Sequence, residues 1–124
     1  MDQERRRGAQ RPYARMARVN ALLHEVLAEQ LARDADVDER LGLATITGVE
    51  CSPDLKLATV YFSSLTDELA LALEEHRRGL QSALGDEVRI RRTPTLRFVA
   101  DPAVAAGDRI EAAILRSRRR AEPS

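Results

Sequence analysis

Residues 43–64, LATITGVECSPDLKLATVYFSS, decide the fold. LATITGVEC (43–51) and LKLATVYFSS (55–64) are rich in β-branched and aromatic residues, which suit a pleated, half-buried surface. Between them Ser52-Pro53-Asp54 presets a turn, because proline fixes its own φ and aspartate can hydrogen-bond the backbone two residues on. The stretch therefore predicts a β-hairpin closed by a turn of about four residues.

Upstream, Met16, Val19, Leu22, Leu23, Val26, Leu27 and Leu31 recur at steps of three and four, one apolar stripe on a helix from Pro12 to Arg33. Pro12 suits a helix start, and Asp34, Asp36, Asp38 and Gly42 form its exit loop. Downstream, Thr66 is an N-cap, Asp67 and Glu68 suit the positive end of a helix dipole, and Leu69, Leu71, Leu73, Leu80 and Leu84 supply apolar surface. Gly79 falls inside this second helix and predicts a kink there, since glycine costs about 1 kcal/mol relative to alanine in a helix. Val88 and Ile90 start a third strand, Pro94 bends it or confines it to an edge, and Leu96 and Phe98 resume the alternation. Asp101-Pro102 opens a short last helix through Ile110, Ile114 and Leu115, with a weak point at Gly107.

The order is α-β-β-α-kink-α-β with an appended helix. Three strands cannot close a barrel, so the expected architecture is an α+β two-layer sandwich with the helices on one face of a small sheet. Residues 1–11 read as a flexible basic arm, 12–115 as one domain and 116–124 as a disordered basic tail.

Composition narrows the function classes. Cys51 is the single cysteine, so neither an intramolecular disulfide nor a thiolate metal cluster can form, and a reducing cytoplasmic setting fits. No stretch approaches the roughly 20 apolar residues of a membrane span, and the arginine-rich N-terminus has no apolar segment behind it. DADVDERLGLAT (34–45) starts like a calcium loop but has Glu39 where glycine is required and Thr45 where the bidentate glutamate belongs. His24 and His76 lack metal-ligand spacing, and Cys51 ends a strand, where an inert buried thiol is expected. No nucleophile elbow, phosphate-binding loop or dinucleotide fingerprint occurs. No cofactor and no catalytic constellation is implied.

Twenty basic residues balance twenty acidic ones, yet the charges are segregated. Residues 1–19 carry +4, 20–88 carry −9 and 89–124 carry +5. Phosphates respond to local field rather than to net charge, so such blocks suit a chain that meets a polyanion with part of its surface. With Val88 and Ile90 on one face of a strand, Arg89 and Arg91 point to the other, away from the core.

VECSPDLKLATVYFSSL (49–65) resembles the ribosome-binding factor A family of bacterial small-subunit assembly factors. ARVNALLHEVLAEQLAR (17–33) is similar to that family's first helix, LGLATITGVECSPDL (41–55) to its first strand and turn, LGDEVRIRRTPTLRFVAD (84–101) to its last strand, and GDRIEAAI (107–114) to its ending. The resemblance covers roughly residues 13–115 in order. It implies a KH-like fold of the α-β-β-α-kink-α-β type without the GXXG loop by which other KH modules clamp nucleic acid, and no G-x-x-G occurs here. The family places alanine, any residue, glycine at its helix break. Arg77-Arg78-Gly79 would be the counterpart, keeping the glycine and replacing the alanine.

By that resemblance the chain is a cytoplasmic, monomeric, non-enzymatic factor. It would bind the free 30S subunit through 16S rRNA, assist late maturation and processing of the 16S precursor, and leave before translation. Ribosomal proteins and a release GTPase would be further partners, and growth in the cold a linked trait. Nineteen of the twenty basic residues are arginine, whose planar fork makes two parallel bonds to phosphate. The expected rRNA face is Arg89, Arg91, Arg92 and Arg97, with Arg77 and Arg78 at the kink and Arg11, Arg15 and Arg18 on the first helix. Arg97 could instead pair with Asp101 or Glu87. Two other functions remain open to the sequence: a module docking an acidic protein, and a general RNA chaperone.

Overall fold

The computed structural model describes the backbone of residues 2–87 and 92–121, and the side chains of 14–87 and 92–119. In chain order the elements are α1 (Asp2–Ala35), a 3-10 turn (Glu39–Leu43), β1 (Ile46–Cys51), β2 (Leu57–Phe62), α2 (Asp67–Glu75), α3 (Arg77–Glu87), β3 (Thr95–Ala100) and α4 (Pro102–Ala121). The expected α+β order is observed.

The hairpin forms as the sequence predicts. β1 and β2 pair antiparallel, with Cys51 opposite Ala58 and Val49 opposite Val60, and the register slips between Ile46 and Gly48. Its turn is closed by the Leu55 amide donating to the Ser52 carbonyl at 2.8 Å and by the Ser52 amide donating to the Leu57 carbonyl at 2.8 Å. Leu55 sits at φ 60°, the left-handed region that side-chain-bearing residues enter only when their surroundings over-determine it.

β3 joins the other edge of β2 in parallel, with Leu57 opposite Thr95 and Phe62 opposite Ala100, giving the order β1-β2-β3. Parallel pairing follows from the crossover, because α2 and α3 carry the chain back to the end where β2 began. Pro94 is buried and has no N–H to give, so the ladder starts at Thr95, whose amide donates to the Lys56 carbonyl at 2.9 Å. The expected strand start at Val88 and Ile90, with Arg89 and Arg91, lies outside the described residues.

Alternation along the strands puts Val49, Cys51, Ala58, Val60, Phe62 and Leu96 in the core. Leu23, Val26, Leu27 and Leu31 of α1, Leu69, Ala72 and Leu73 of α2, and Leu80, Ala83 and Leu84 of α3 cover that face. Phe62 is fully buried, its ring 6.1 Å from that of Phe98 in a tilted pair.

Three expectations about helix limits are corrected. α1 is helical from Asp2 rather than from Pro12: the Glu, Arg, Ala and Gln residues among 2–11 are good helix formers and carry the helix through Gly8 and Pro12, although Pro12 has no N–H to give to the Gly8 carbonyl. α4 runs from Pro102 to Ala121, 20 residues, rather than being the short helix the sequence suggests. The break between α2 and α3 falls at His76 (φ −93°, ψ 1°), not at Gly79, which lies in the first turn of α3 with an ordinary negative φ. A Cβ added at Gly79 would meet nothing within 4 Å. Gly79→Ala is therefore expected to stabilise the protein by about 0.5–1 kcal/mol through helix propensity and a less flexible unfolded chain. A urea titration reads this directly, and a destabilised Gly79→Ala protein would show that the bend does need glycine there.

Candidate nucleic-acid interface

Thr66 caps α2 as the sequence predicts, its Oγ1 accepting from the Leu69 amide at 3.2 Å. The break at His76 is held from outside the helix. His76 Nε2 lies 2.9 Å from Asp38 Oδ2, and Nδ1 lies 3.5 Å from Asp34 Oδ2. Asp38 also binds Arg40, whose Nε and Nη2 donate to its two oxygens at 2.9 and 2.7 Å, and Arg40 reaches on to Glu75. Asp34, Asp38 and Glu75 thus join α1, the 3-10 turn and α2.

Arg40 foremost, then His76, holds the Asp38 carboxyl well below the usual carboxylate range. Its folded pKa lies below the unfolded one, so the stability this carboxylate supplies is present at neutral pH and is lost as pH falls below about 4. Asp38→Asn is expected to unfold more easily than wild type at pH 7, with the gap closing toward pH 2. A gap that is constant with pH would show that the charge of Asp38 is not its source.

Of the expected RNA-facing arginines, Arg77 is taken up by the fold. Its Nε and Nη2 donate to the two Glu74 oxygens at 2.9 and 2.7 Å, and its Nη1 donates to the Leu96 carbonyl at 2.5 Å. The guanidinium lies 4.9 Å from the centre of the Phe98 ring, and these contacts clamp the start of α3 to β3. Glu74 raises the pKa of Arg77 and is itself lowered in return. Nothing here offers a free fork to phosphate.

The neighbouring Arg78 is exposed, as are Arg92 ahead of β3 and Arg97 on the outer face of the sheet. Arg97 stands opposite Thr59 and forms no ion pair with any described carboxylate. Asp101, the partner considered for it, instead caps α4 through the Ala103 amide at 2.9 Å and accepts from Thr47 Oγ1 at 2.6 Å. Next to Arg97 on that face, Tyr61 donates to Glu50 at 3.2 Å, and burial and Glu50 push its phenol up.

Arg15 and Arg18 are exposed on α1. They precede Asn20, whose Oδ1 accepts from the Cys51 amide at 2.9 Å, so this part of α1 passes the end of the sheet that bears the hairpin turn. Arg11 lies in the helical backbone with its side chain outside the described residues, and Arg89 and Arg91 lie outside them altogether. The structure therefore sets Arg97 on the outer face of β3, Arg78 in the first turn of α3, and Arg92 at the turn end of the sheet.

One cation escapes a reading of the sequence. Lys56, the single lysine of the chain, lines an open cleft of about 440 Å³ with Asp54, Leu55 and Arg92. Its rarity is the only signal in the sequence, because its nearness to Arg92 arises from the Lys56–Thr95 backbone bond between distant segments.

Burial pushes the Cys51 thiol up, away from the reactive thiolate. Among the described residues no group of three His, Cys, Asp or Glu side chains could hold a metal ion, and no helix is long and apolar enough to cross a membrane.

Comparison with known proteins agrees with this architecture. A family model described as Ribosome-binding factor A matches residues 15–114. Ribosome-binding factor A of Rubrobacter xylanophilus is 37% identical over 102 residues, covering 79% of this chain and 83% of that protein. The crystal structure of ribosome-binding factor A from Thermus thermophilus superposes with a TM-score of 0.59 at 36% identity, covering 68% of this chain and 94% of that one. A homology model of the Thermus thermophilus factor, fitted into the cryo-EM map of its complex with 30S, gives a TM-score of 0.55 at 35% identity, covering 67% of this chain and 91% of that one. The KH-like fold, its helices on one face of a three-stranded sheet, and the continuous match over residues 15–114 place the chain in the ribosome-binding factor A family.

Proposed function

We propose that this protein binds the free small ribosomal subunit through 16S rRNA, assists late maturation and processing of the 16S precursor, and leaves before translation. The observation that carries this reading is the family match over residues 15–114, joined to the Thermus thermophilus relative fitted into a 30S complex. The setting is the bacterial cytoplasm, and the role is binding rather than catalysis.

On this reading Arg78, Arg92 and Arg97, with Arg15 and Arg18, are the rRNA contacts, and Arg11, Arg89 and Arg91 extend the same set. Arg77 holds the scaffold that presents them. Each exposed guanidinium can make a bidentate, charge-assisted contact with a phosphate. With four aromatic residues in the whole chain, recognition rests on shape and backbone rather than on stacked bases.

Co-sedimentation of the protein with 30S, 50S and 70S particles at two salt concentrations tests the function. The expected result is binding to 30S alone, weakened by salt, and weakened further in an Arg78→Ala/Arg97→Ala double variant. Each lost phosphate contact should flatten the log–log salt dependence by roughly 0.7–0.9. Wild-type protein left at the top of the gradient at low salt would overturn the ribosome reading and point to an acidic protein partner. Equal competition by bulk RNA would point to a general RNA chaperone.

A further inference from the structure

We propose that the cleft at the hairpin turn, lined by Leu55, Lys56 and Arg92, holds the phosphate of one unpaired rRNA nucleotide. This rests on the small-subunit reading above and adds a subsite to it. Lys56 and Arg92 reach the cleft from segments 36 residues apart, brought together by the Thr95 amide bonding the Lys56 carbonyl at 2.9 Å. Both side chains are exposed, and neither forms an ion pair with a described carboxylate. An ammonium and a guanidinium on one opening suit a phosphate, the first as a compact point charge and the second as a planar fork.

Asp54 is held in the turn, its Oδ1 accepting from Ser52 Oγ at 2.6 Å and from the Lys56 amide at 3.1 Å, and with Lys56 and Arg92 against this one carboxylate the lining is net positive. Leu55, half-buried, adds an apolar surface for a ribose or base, and its left-handed backbone is the one such strain among non-glycine residues described. About 440 Å³ gives room for one nucleotide but not for a duplex. The larger cleft, about 510 Å³ beside the 3-10 turn, is unsuited to phosphate. It carries Glu39 and Glu68, and its Arg40 is already paired with Asp38 and Glu75.

The single lysine makes the test specific, because Lys56 has the only ε-amine in the chain. Full-length protein is acetylated with a lysine-directed reagent, alone and with saturating 30S subunits, and peptide masses separate Lys56 from the N-terminal amine. The expected result is several-fold protection of Lys56 by 30S. Lys56→Ala/Arg92→Ala should bind 30S about tenfold more weakly, with a salt slope lower by about 0.7 for the one phosphate lost, while Lys56→Arg binds as wild type. The turn's hydrogen bonds use the backbone of Lys56, so both variants should melt with wild type.

Wild-type protein that sediments with 30S while Lys56 reacts at its free rate, and while the double variant binds undiminished, would overturn the cleft and leave the small-subunit reading standing. Equal protection by free adenosine monophosphate at the concentration of 30S used would assign the cleft to a small anion and overturn the rRNA contact. Wild-type protein that fails to sediment with 30S would overturn both.

Discussion

Arg77→Ala should destabilise the protein by about 2 kcal/mol, whereas Arg97→Ala should leave its stability within about 0.5 kcal/mol of wild type. The two arginines look alike in sequence, each in a basic stretch with apolar residues close by. In the fold, Arg77→Ala loses a carbonyl bond to Leu96, a ring contact with Phe98 and a two-pronged pair with Glu74. The Glu74 pair contributes the smallest share, since that carboxylate is 56% exposed and a surface pair supplies about 0–1 kcal/mol. Arg97 has no such contacts and projects from the outer face of the sheet. Paired urea titrations and 30S co-sedimentation separate the roles: Arg77→Ala shifts the unfolding midpoint, and Arg97→Ala weakens binding. The reverse pattern would mean that Arg77 is an rRNA contact after all.

Phe62→Ala should cost more, about 3–5 kcal/mol, because a fully buried ring on the central strand of the sheet leaves a cavity that its neighbours fill only in part. A small domain has about 5–15 kcal/mol in total, so the variant should be close to unfolding at 37 °C. Phe62→Leu keeps most of the volume and should lose less than about 1.5 kcal/mol. Denaturant curves for the pair check this. A loss below about 1 kcal/mol for Phe62→Ala would show that the Phe62–Phe98 pair is not the centre of the core.

The candidate interface is only partly legible in the sequence. Composition points to arginine for the proposed phosphate contacts, and alternation places Arg97 on the outer sheet face. Alternation cannot tell an exposed arginine from one folded back on its own domain. Arg77 needs Glu74 three residues before it, which the sequence displays, and also Leu96 and Phe98 about twenty residues on, which it does not. Lys56 gives no local signal, because a lone lysine in a turn is ordinary until Arg92 stands beside it. Helix propensity alone favours a break at Gly79, on a cost of about 1 kcal/mol. The contacts of His76 with Asp34 and Asp38, and the packing of Leu73 and Leu80 on either side, set the break three residues earlier.

By itself the sequence determined the element types, their order, the hairpin and its turn, the cap at Thr66 and the apolar faces. These depend on residues within a turn or two of one another, where periodicity and turn chemistry act directly. Tertiary structure alone decided that β3 pairs parallel with β2, that the break lies at His76, that Arg77 is structural and that Lys56 meets Arg92. Each of these depends on contacts between residues far apart in the chain, whose meeting is fixed by how the α2–α3 crossover returns the chain to the sheet and not by any local preference.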